Sequence, residues 1–182
     1  MSINSTSDLV LTWQFDENDI RKAQLWMPSP EGSSEPLKLF YFSTYNREST
    51  YYRWNLMTNR YENAGSIEWN SPRNIVLNLG MRTLPIDAMA RKNKTNSRSR
   101  RFKAFNNVEH KWRPAEANPE NLECVTVSGK KPTAFYNASD HTLRVNPRGH
   151  GILDDIVVLN LVHLWRRQHG IDFVIPAGAS TS

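Results

Sequence analysis

In several segments of the chain, hydrophobic and polar residues alternate with a period of two or β-branched and aromatic residues are enriched, and clusters of Pro, Gly, Asn and Ser separate these segments. In NIVLNL, for example, Ile75, Leu77 and Leu79 fall on one face. This pattern is typical of β-strands with one face in water, because neighbouring side chains on a strand point to opposite faces of the sheet. It predicts about twelve short strands, near residues 8–13, 22–27, 37–43, 50–57, 63–69, 73–79, 81–86, 100–105, 109–113, 122–127, 132–136 and 141–146.

Near the end of the chain the pattern changes to one strongly apolar helix, GILDDIVVLNLVHLWRRQHG at 151–170. Its apolar residues are spread over all sides of a helical wheel, so the helix needs apolar surroundings on every side. A membrane span needs about 20 apolar residues, whereas this run is interrupted by Asp154, Asp155, Asn160 and His163. No transmembrane segment is therefore predicted, and the helix is expected inside the protein.

A barrel satisfies both observations. An open sheet of so many strands would leave long unpaired edges, and the inside of a β-barrel surrounds a helix on all sides. The predicted fold is all-β: a closed antiparallel barrel of about twelve strands around one hydrophobic C-terminal helix. Residues 1–182 are predicted to form a single domain, with 28–36 and about 87–99 as exposed loops and 171–182 as a flexible tail.

The order of several short motifs resembles a known group of proteins. The motifs, which span residues 37–169, are LFYFST, TYYRWNL, AGSIEWN, SRRFKAF, EHKWRP, TAFY and ILDDIVVLNLVHLWRRQ. This succession resembles a fungal domain of unknown function related to the tubby-like superfamily, which includes tubby C-terminal, scramblase and plant LURP-one-related domains. The resemblance implies a twelve-stranded barrel threaded by a hydrophobic C-terminal helix. Tubby-type domains bind phosphoinositides through basic surface residues, none of which is assigned to a position in this sequence.

The formal net charge of +5 is concentrated in RKNKTNSRSRRFK at 91–103, which carries seven cations and no acid. Beside Phe102 and Phe105, these cations could bind an anionic membrane surface or an acidic protein. The alternative is a solvated loop whose charge aids solubility. Nucleic acid is not expected as a partner, because no recognition motif accompanies the run. The candidate binding residues are Arg91, Lys92, Lys94, Arg98, Arg100, Arg101 and Lys103.

Signals for catalysis or metal binding are weak. The five histidines form no HExxH motif, so we predict no metal site and no cofactor. His150, Asp154 and Asp155 could form an acid–base set at the mouth of the barrel, although carboxylates in a first helical turn also have a structural role. Asn160 and His163 on the buried helix need hydrogen-bond partners or line an internal ligand pocket. The six tryptophans could stack on a sugar, but core packing is the expected role.

The leading hypothesis is a non-enzymatic, intracellular binding module whose basic loop contacts an anionic partner. The alternatives are a small enzyme of fungal secondary metabolism with a pocket at the barrel mouth, and a sugar-binding, lectin-like protein. Scramblase activity is not expected, because Cys124 is the only cysteine and there is no D-x-D-x-D motif. The single cysteine and the lack of a secretory signal favour a cytoplasmic location.

Overall fold

The computed structural model describes residues 6–29, 35–86 and 99–173. Within these ranges, twelve strands are followed by a 3-10 helix (Pro147–Ile152) and one α-helix, α1 (Leu153–Gln168). The twelve predicted strands and the C-terminal helix are confirmed. The strands are β1 (Leu9–Phe15), β2 (Ala23–Met27), β3 (Leu37–Tyr45), β4 (Glu48–Asn55), β5 (Arg60–Ser71), β6 (Asn74–Leu79), β7 (Arg82–Pro85), β8 (Arg100–Lys103), β9 (Glu109–Pro114), β10 (Leu122–Thr126), β11 (Pro132–Asn137) and β12 (Thr142–Val145).

All twelve strands belong to one antiparallel sheet in the order β7-β6-β5-β4-β3-β2-β1-β12-β11-β10-β9-β8. The chain follows a meander except at β1, which pairs with β2 on one side and β12 on the other, with Leu9 opposite Val145. In the described residues, β7 and β8 are edge strands that do not pair with each other. The closed ring of the predicted barrel is therefore not present as a continuous hydrogen-bonded sheet.

Helix α1 lies in the concave side of this sheet. Each residue from Asp155 to Arg166 is buried, and strands from distant parts of the sheet contact the helix. From β1, Trp13 Nε1 donates a hydrogen bond to Asn160 Oδ1 at 2.9 Å; from β5, the Trp69 ring lies 4.8 Å from the Trp165 ring. The prediction that α1 is surrounded by protein is thus confirmed, and no helix of the described residues is long and apolar enough to cross a membrane.

Charged side chains connect both edge strands to the helix. At its start, Asp155 accepts hydrogen bonds from Arg82 Nη2 of β7 at 2.8 Å and from the Phe105 amide, just after β8, at 3.3 Å. Beyond its end, Asp172 accepts from Arg100 Nε of β8 at 2.7 Å. Because one carboxylate binds groups from both edges of the sheet, β7 and β8 lie close together at the start of α1.

The prediction of a flexible tail from residue 171 is wrong for residues 171–173, and residues 174–182 lie outside the described ranges. Asp172 is completely buried, and Phe173 packs on His163 with ring centroids 5.0 Å apart. The tail prediction rested on composition, which did not reveal that the Asp172 carboxylate has buried cationic partners. His163 Nδ1 lies 3.1 Å from Asp172 Oδ2. The buried histidine therefore has the hydrogen-bond partner that it needs, and this partner is the Asp172 side chain.

Candidate functional site

A cavity of about 510 Å³ lies at the start of α1, beside the β6–β7 turn and Phe105, and we call it the seam cavity. Its volume is within the range of pockets that hold small molecules. The structure brings His150, Asp154 and Asp155 together in its wall, as expected for residues near the helix start. The other lining residues are Tyr51, Arg53, Asn63, Ala64, Leu79, Gly80, Met81, Arg82, Phe105, Gly151, Ile152 and Leu153.

Both carboxylates in the cavity wall are paired with arginines. Arg53 Nη1 of β4 donates to both carboxylate oxygens of Asp154 at 3.0 Å, and Arg82 Nη2 of β7 donates to Asp155 at 2.8 Å. Burial raises the pKa of Asp154 even though Arg53 acts in the opposite direction. Each acid thus has a cationic partner at neutral pH, and the four charges of this wall sum to zero.

Tyr51 is a buried tyrosine in the wall of this cavity. Its side chain is fully buried, and the hydroxyl makes no hydrogen bond within the described part of the chain. Burial, and then the nearby charge of Asp154, raise the pKa of Tyr51. An unpaired buried hydroxyl costs about 1–3 kcal/mol, so a ligand that pairs with it gains from this deficit.

Gly65 of β5 makes room for the Tyr51 ring. The φ angle of Gly65 is +153°, and a Cβ at this position would lie 2.0 Å from the Asn78 carbonyl oxygen and 2.6 Å from Tyr51 Cε1. Both distances are far below van der Waals contact. A glycine at position 65 therefore permits Tyr51 and strand β6 to approach β5 at the cavity wall.

Apolar side chains form the rim of the cavity. Met81, in the β6–β7 turn, is fully exposed, and Phe105 is 69% exposed. The guanidinium carbon of Arg82 lies 5.4 Å from the centre of the Phe105 ring, a distance typical of a cation–π contact. The opening thus offers apolar contacts, while the polar groups lie on the walls.

Sequence reasoning identified three residues of this cavity and missed Tyr51, Arg53 and Arg82. A signal existed for β4, since the alternation of TYYRWNLM places Tyr51 and Arg53 on the same face. No local pattern indicates that β4 and β7 contact the start of α1, because that contact depends on how the sheet curves.

The basic residues predicted to bind an anionic partner are placed differently from one another. Arg100 points to the inside, where it pairs with Asp172. On the outer side of β8 lie Arg101, which is half-buried, and Lys103, which is exposed. The remaining four candidates lie outside the described residues: Arg91, Lys92, Lys94 and Arg98.

The outer side of β8 continues into further cations. Lys111 of β9 lies opposite Arg101 in the sheet, and Lys130, in the β10–β11 turn, lies close enough to act on its charge. Burial lowers the pKa of Lys111, and the charges of Arg113, Arg101 and Lys130 lower it further. We call Arg101, Lys103, Lys111 and Lys130 the basic face.

The tryptophans divide into two groups. Four are buried and pack in the core as expected, namely Trp13, Trp69, Trp112 and Trp165. Trp26 of β2 and Trp54 of β4 are half-buried, and Trp54 also packs against the core. The ring of Trp54 packs against Tyr61 at 4.9 Å, and the Lys38 ammonium lies 5.2 Å from the Trp26 ring. Both rings thus contact other side chains of the protein. Stacking of a sugar on a tryptophan stays a prediction.

The fold defines the class of this protein as an antiparallel sheet protein with a helix buried against its concave side. Comparison with known proteins adds no family to that description: the sequence matches no family model, and neither a curated protein nor a solved structure matches it. Within residues 6–29, 35–86 and 99–173, no three His, Cys, Asp or Glu side chains are grouped so that they could hold a metal ion.

Proposed function

We propose that the sheet closes into a tubby-like barrel around α1, with β7 and β8 as neighbours. Two observations support this arrangement. The helix is buried on all sides, and Asp155 binds Arg82 from one edge of the sheet and Phe105 from the other. Closure would also remove the exposed edges that a sheet of this size otherwise presents to other chains.

We propose further that the protein is a non-enzymatic binding module whose basic face contacts an anionic membrane surface. The observation that carries this proposal is the cross-strand pairing of Arg101 with Lys111. Lys130 acts on the same ammonium group, and Glu123 opposes these charges with a smaller effect. Like charges on neighbouring strands destabilise a sheet unless counter-charges neutralise them. The segment just before β8 adds Arg91, Lys92, Lys94 and Arg98 to the same part of the sequence.

An anionic lipid surface fits this face better than one compact ligand does. The cations are spread over two strands and a turn, and each Lys or Arg near an anionic membrane contributes about 1 kcal/mol of attraction. Such binding needs charge density and no deep pocket. An acidic protein is the alternative partner, and it would meet the same residues.

Sedimentation with phosphatidylcholine vesicles that contain phosphatidylserine tests the proposal. The triple variant Arg101→Ser, Lys103→Ser, Lys111→Ser is expected to bind these vesicles about a hundredfold more weakly, from about 1 kcal/mol lost at each position. The matched control is Arg47→Ser, Arg60→Ser, Arg73→Ser, which removes three exposed cations from other parts of the surface. Both triple variants have the same net charge, +2 (5 − 3), so a difference between them reports the position of the charges.

The following comparisons distinguish the alternatives. Equal losses in the two triple variants, or no vesicle binding by the parent protein, would contradict a lipid-binding basic face. Binding of polyglutamate, but not of vesicles, in a manner that depends on the basic face would favour an acidic protein partner. A further comparison uses vesicles in which a phosphoinositide replaces phosphatidylserine at equal total charge. Tighter binding to these vesicles would indicate recognition of the headgroup, and equal binding would indicate attraction by charge alone.

A small enzyme is a second candidate because the seam cavity is lined by His150, Asp154 and Asp155. The pairing of both carboxylates with arginines supports binding over catalysis, since neither acid is left as an unpaired base. Native mass spectrometry of the protein from its own host tests this candidate. A retained small molecule that changes mass during incubation would favour an enzyme, and one that persists unchanged would favour a binding protein.

A further inference from the structure

We propose that the seam cavity binds an uncharged small molecule that carries an acceptor oxygen, such as a ketone, on an apolar body. This inference is independent of the proposed contact between the basic face and membranes. It uses different residues: the basic face lies on the outer side of β8 and β9, whereas the cavity is lined by β4, the β6–β7 turn and the start of α1.

The first argument is the unmet hydrogen-bonding capacity of the walls. The Tyr51 hydroxyl and Arg82 Nε are both buried and have no hydrogen-bond partner in the part of the chain that the structure describes. Arg82 Nε can only donate, and a phenol donates readily. A ligand oxygen that accepts hydrogen bonds would satisfy two donors that the described residues leave unpaired.

The second argument is the charge balance of the cavity. Arg53 is paired with Asp154, and Arg82 is paired with Asp155. An anionic ligand would have to compete with these carboxylates for their arginines, and a cationic one would have to compete with the arginines for the carboxylates. An uncharged ligand leaves both ion pairs intact.

The shifted pKa values of two groups in the cavity wall also favour an uncharged ligand. Burial is the largest cause of the raised pKa of both Tyr51 and Asp154, so the cavity disfavours negative charge. A carboxylate or phosphate placed beside Asp154 would face the same penalty. The preference for an uncharged acceptor thus follows from desolvation as well as from the occupied arginines.

The third argument concerns size and the apolar contacts. A volume of about 510 Å³ accommodates a molecule of one to three rings. The exposed side chains of Met81 and Phe105 stand at the rim, where they would cover the apolar body of a ligand and lose contact with water. An acceptor group would then lie deepest, near Tyr51, and the apolar body would lie towards the opening.

A matched set of naphthalene probes tests the proposal: acetonaphthone, ethylnaphthalene and naphthoate, each substituted at the same ring position. Affinities for the full chain are measured by titration with amide chemical shifts as the readout. We expect acetonaphthone to bind more tightly than ethylnaphthalene, and naphthoate to bind most weakly. The largest shifts are expected at Met81, Phe105 and the first turn of α1.

The Tyr51→Phe variant isolates the hydroxyl, because the buried ring is retained. Its affinity for acetonaphthone should fall about tenfold, the usual effect of one lost hydrogen bond, while its affinity for ethylnaphthalene stays the same. Tyr136→Phe is the matched control: this tyrosine is also buried, but its hydroxyl lies 3.0 Å from His141 Nδ1, away from the cavity. It should leave the affinities for all three probes unchanged.

A second readout, the free energy of unfolding, checks the premise without any ligand. Removal of an unpaired buried hydroxyl should leave Tyr51→Phe as stable as the parent or more stable. The proposal is overturned if no probe binds, if naphthoate binds as tightly as acetonaphthone, if Tyr51→Phe weakens ethylnaphthalene equally, or if Tyr51→Phe is strongly destabilised. Vesicle binding by Tyr51→Phe should equal that of the parent, so the two proposals fail separately.

Discussion

Asp172 is a completely buried carboxylate with three cationic or hydrogen-bonding neighbours. Arg100 Nε lies 2.7 Å, Arg166 Nε 2.9 Å and His163 Nδ1 3.1 Å from its oxygens. Burial alone would raise the pKa of Asp172, but the hydrogen bond from His163 and the positive charges beside it outweigh burial and lower the pKa to about 2. Asp172 therefore fixes the chain beyond α1 against the edge strand β8.

The Asp172→Asn variant should lose about 3–5 kcal/mol of stability at neutral pH, because buried arginines would be left without their counter-charge. In the parent, the folded-state pKa is lower than the ordinary value near 3.9, so this stabilisation is complete above about pH 4 and is lost as the pH falls towards 2. Urea denaturation between pH 7 and about 2 measures both effects.

The pH dependence of this variant identifies the group responsible. Asp172→Asn should show a smaller loss of stability than the parent between about pH 4 and 2, because the group that titrates there is gone. Asp8→Asn is the control, since Asp8 forms a longer and more exposed ion pair with Arg144 at 3.6 Å, and such pairs contribute little. Identical pH profiles for the parent and Asp172→Asn would contradict the role assigned to this carboxylate.

Two glycine positions should respond differently to alanine. At Gly65 a Cβ would overlap the Asn78 carbonyl oxygen, whereas at Gly80, with φ +59°, no atom lies within 4 Å. Gly80→Ala should therefore cost about 1 kcal/mol of backbone strain, and Gly65→Ala clearly more, because β5 and β6 must separate. Thermal unfolding of both variants tests this order, and equal costs would contradict it.

At the scale of elements, α1 differs from a surface helix because it has no solvent-facing side. Leu159 and Leu161 are two residues apart, so their side chains point in directions about 160° apart, and yet both are buried. Polar residues inside this helix have specific partners, such as Trp13 for Asn160. Packing on all sides makes α1 the common core element for strands throughout the sheet.

Leu159→Ala and Leu161→Ala should each destabilise the protein by about 2–5 kcal/mol, the usual effect of truncating a fully buried leucine. An amphipathic helix would show such a loss on one side only. Gln168→Ala, at the exposed end of α1, is the control and should change stability by less than about 0.5 kcal/mol. A large loss in only one of the two leucine variants would show that one side of α1 is not packed.

The elements could be predicted from sequence because each one carries a local pattern. Alternation, or enrichment in β-branched and aromatic residues, located all twelve strands, and the apolar run located the helix. The position of β1 between β2 and β12 carries no such signal, since it depends on which strands meet when the sheet curves. The incomplete burial of Trp26 was missed for a related reason, because alternation along a strand does not indicate which face points to the core.

At the scale of the whole molecule, the described part of the sheet is open, with β7 and β8 as its edge strands. The ends of these strands meet at Asp155, and Pro85, which cannot donate a backbone hydrogen bond, ends β7. Proline is tolerated at sheet edges and strand ends. Whether the two strands pair determines whether the molecule presents free backbone groups to other chains or none.

Native-state hydrogen exchange tests the proposed closure. If β7 and β8 pair, their amides that point away from β6 and β9 should exchange as slowly as amides of the central strands β3 and β4. If the seam is open, the same amides should exchange faster by several orders of magnitude, because water reaches them directly. The central strands provide the internal control in the same sample.

The place of β1 beside β12 has a consequence for biosynthesis. A ribosome makes β1 first, yet one of its edges stays unpaired until residues 142–145 emerge, and α1 follows later still. Until then, the apolar side chains of the sheet that pack on α1 in the folded protein are exposed to neighbouring nascent chains. The pairing of β1 with β12 and the packing of α1 can therefore form only after residues 142–168 have been synthesised. Chains that terminate before α1 should be substrates for chaperones and proteases.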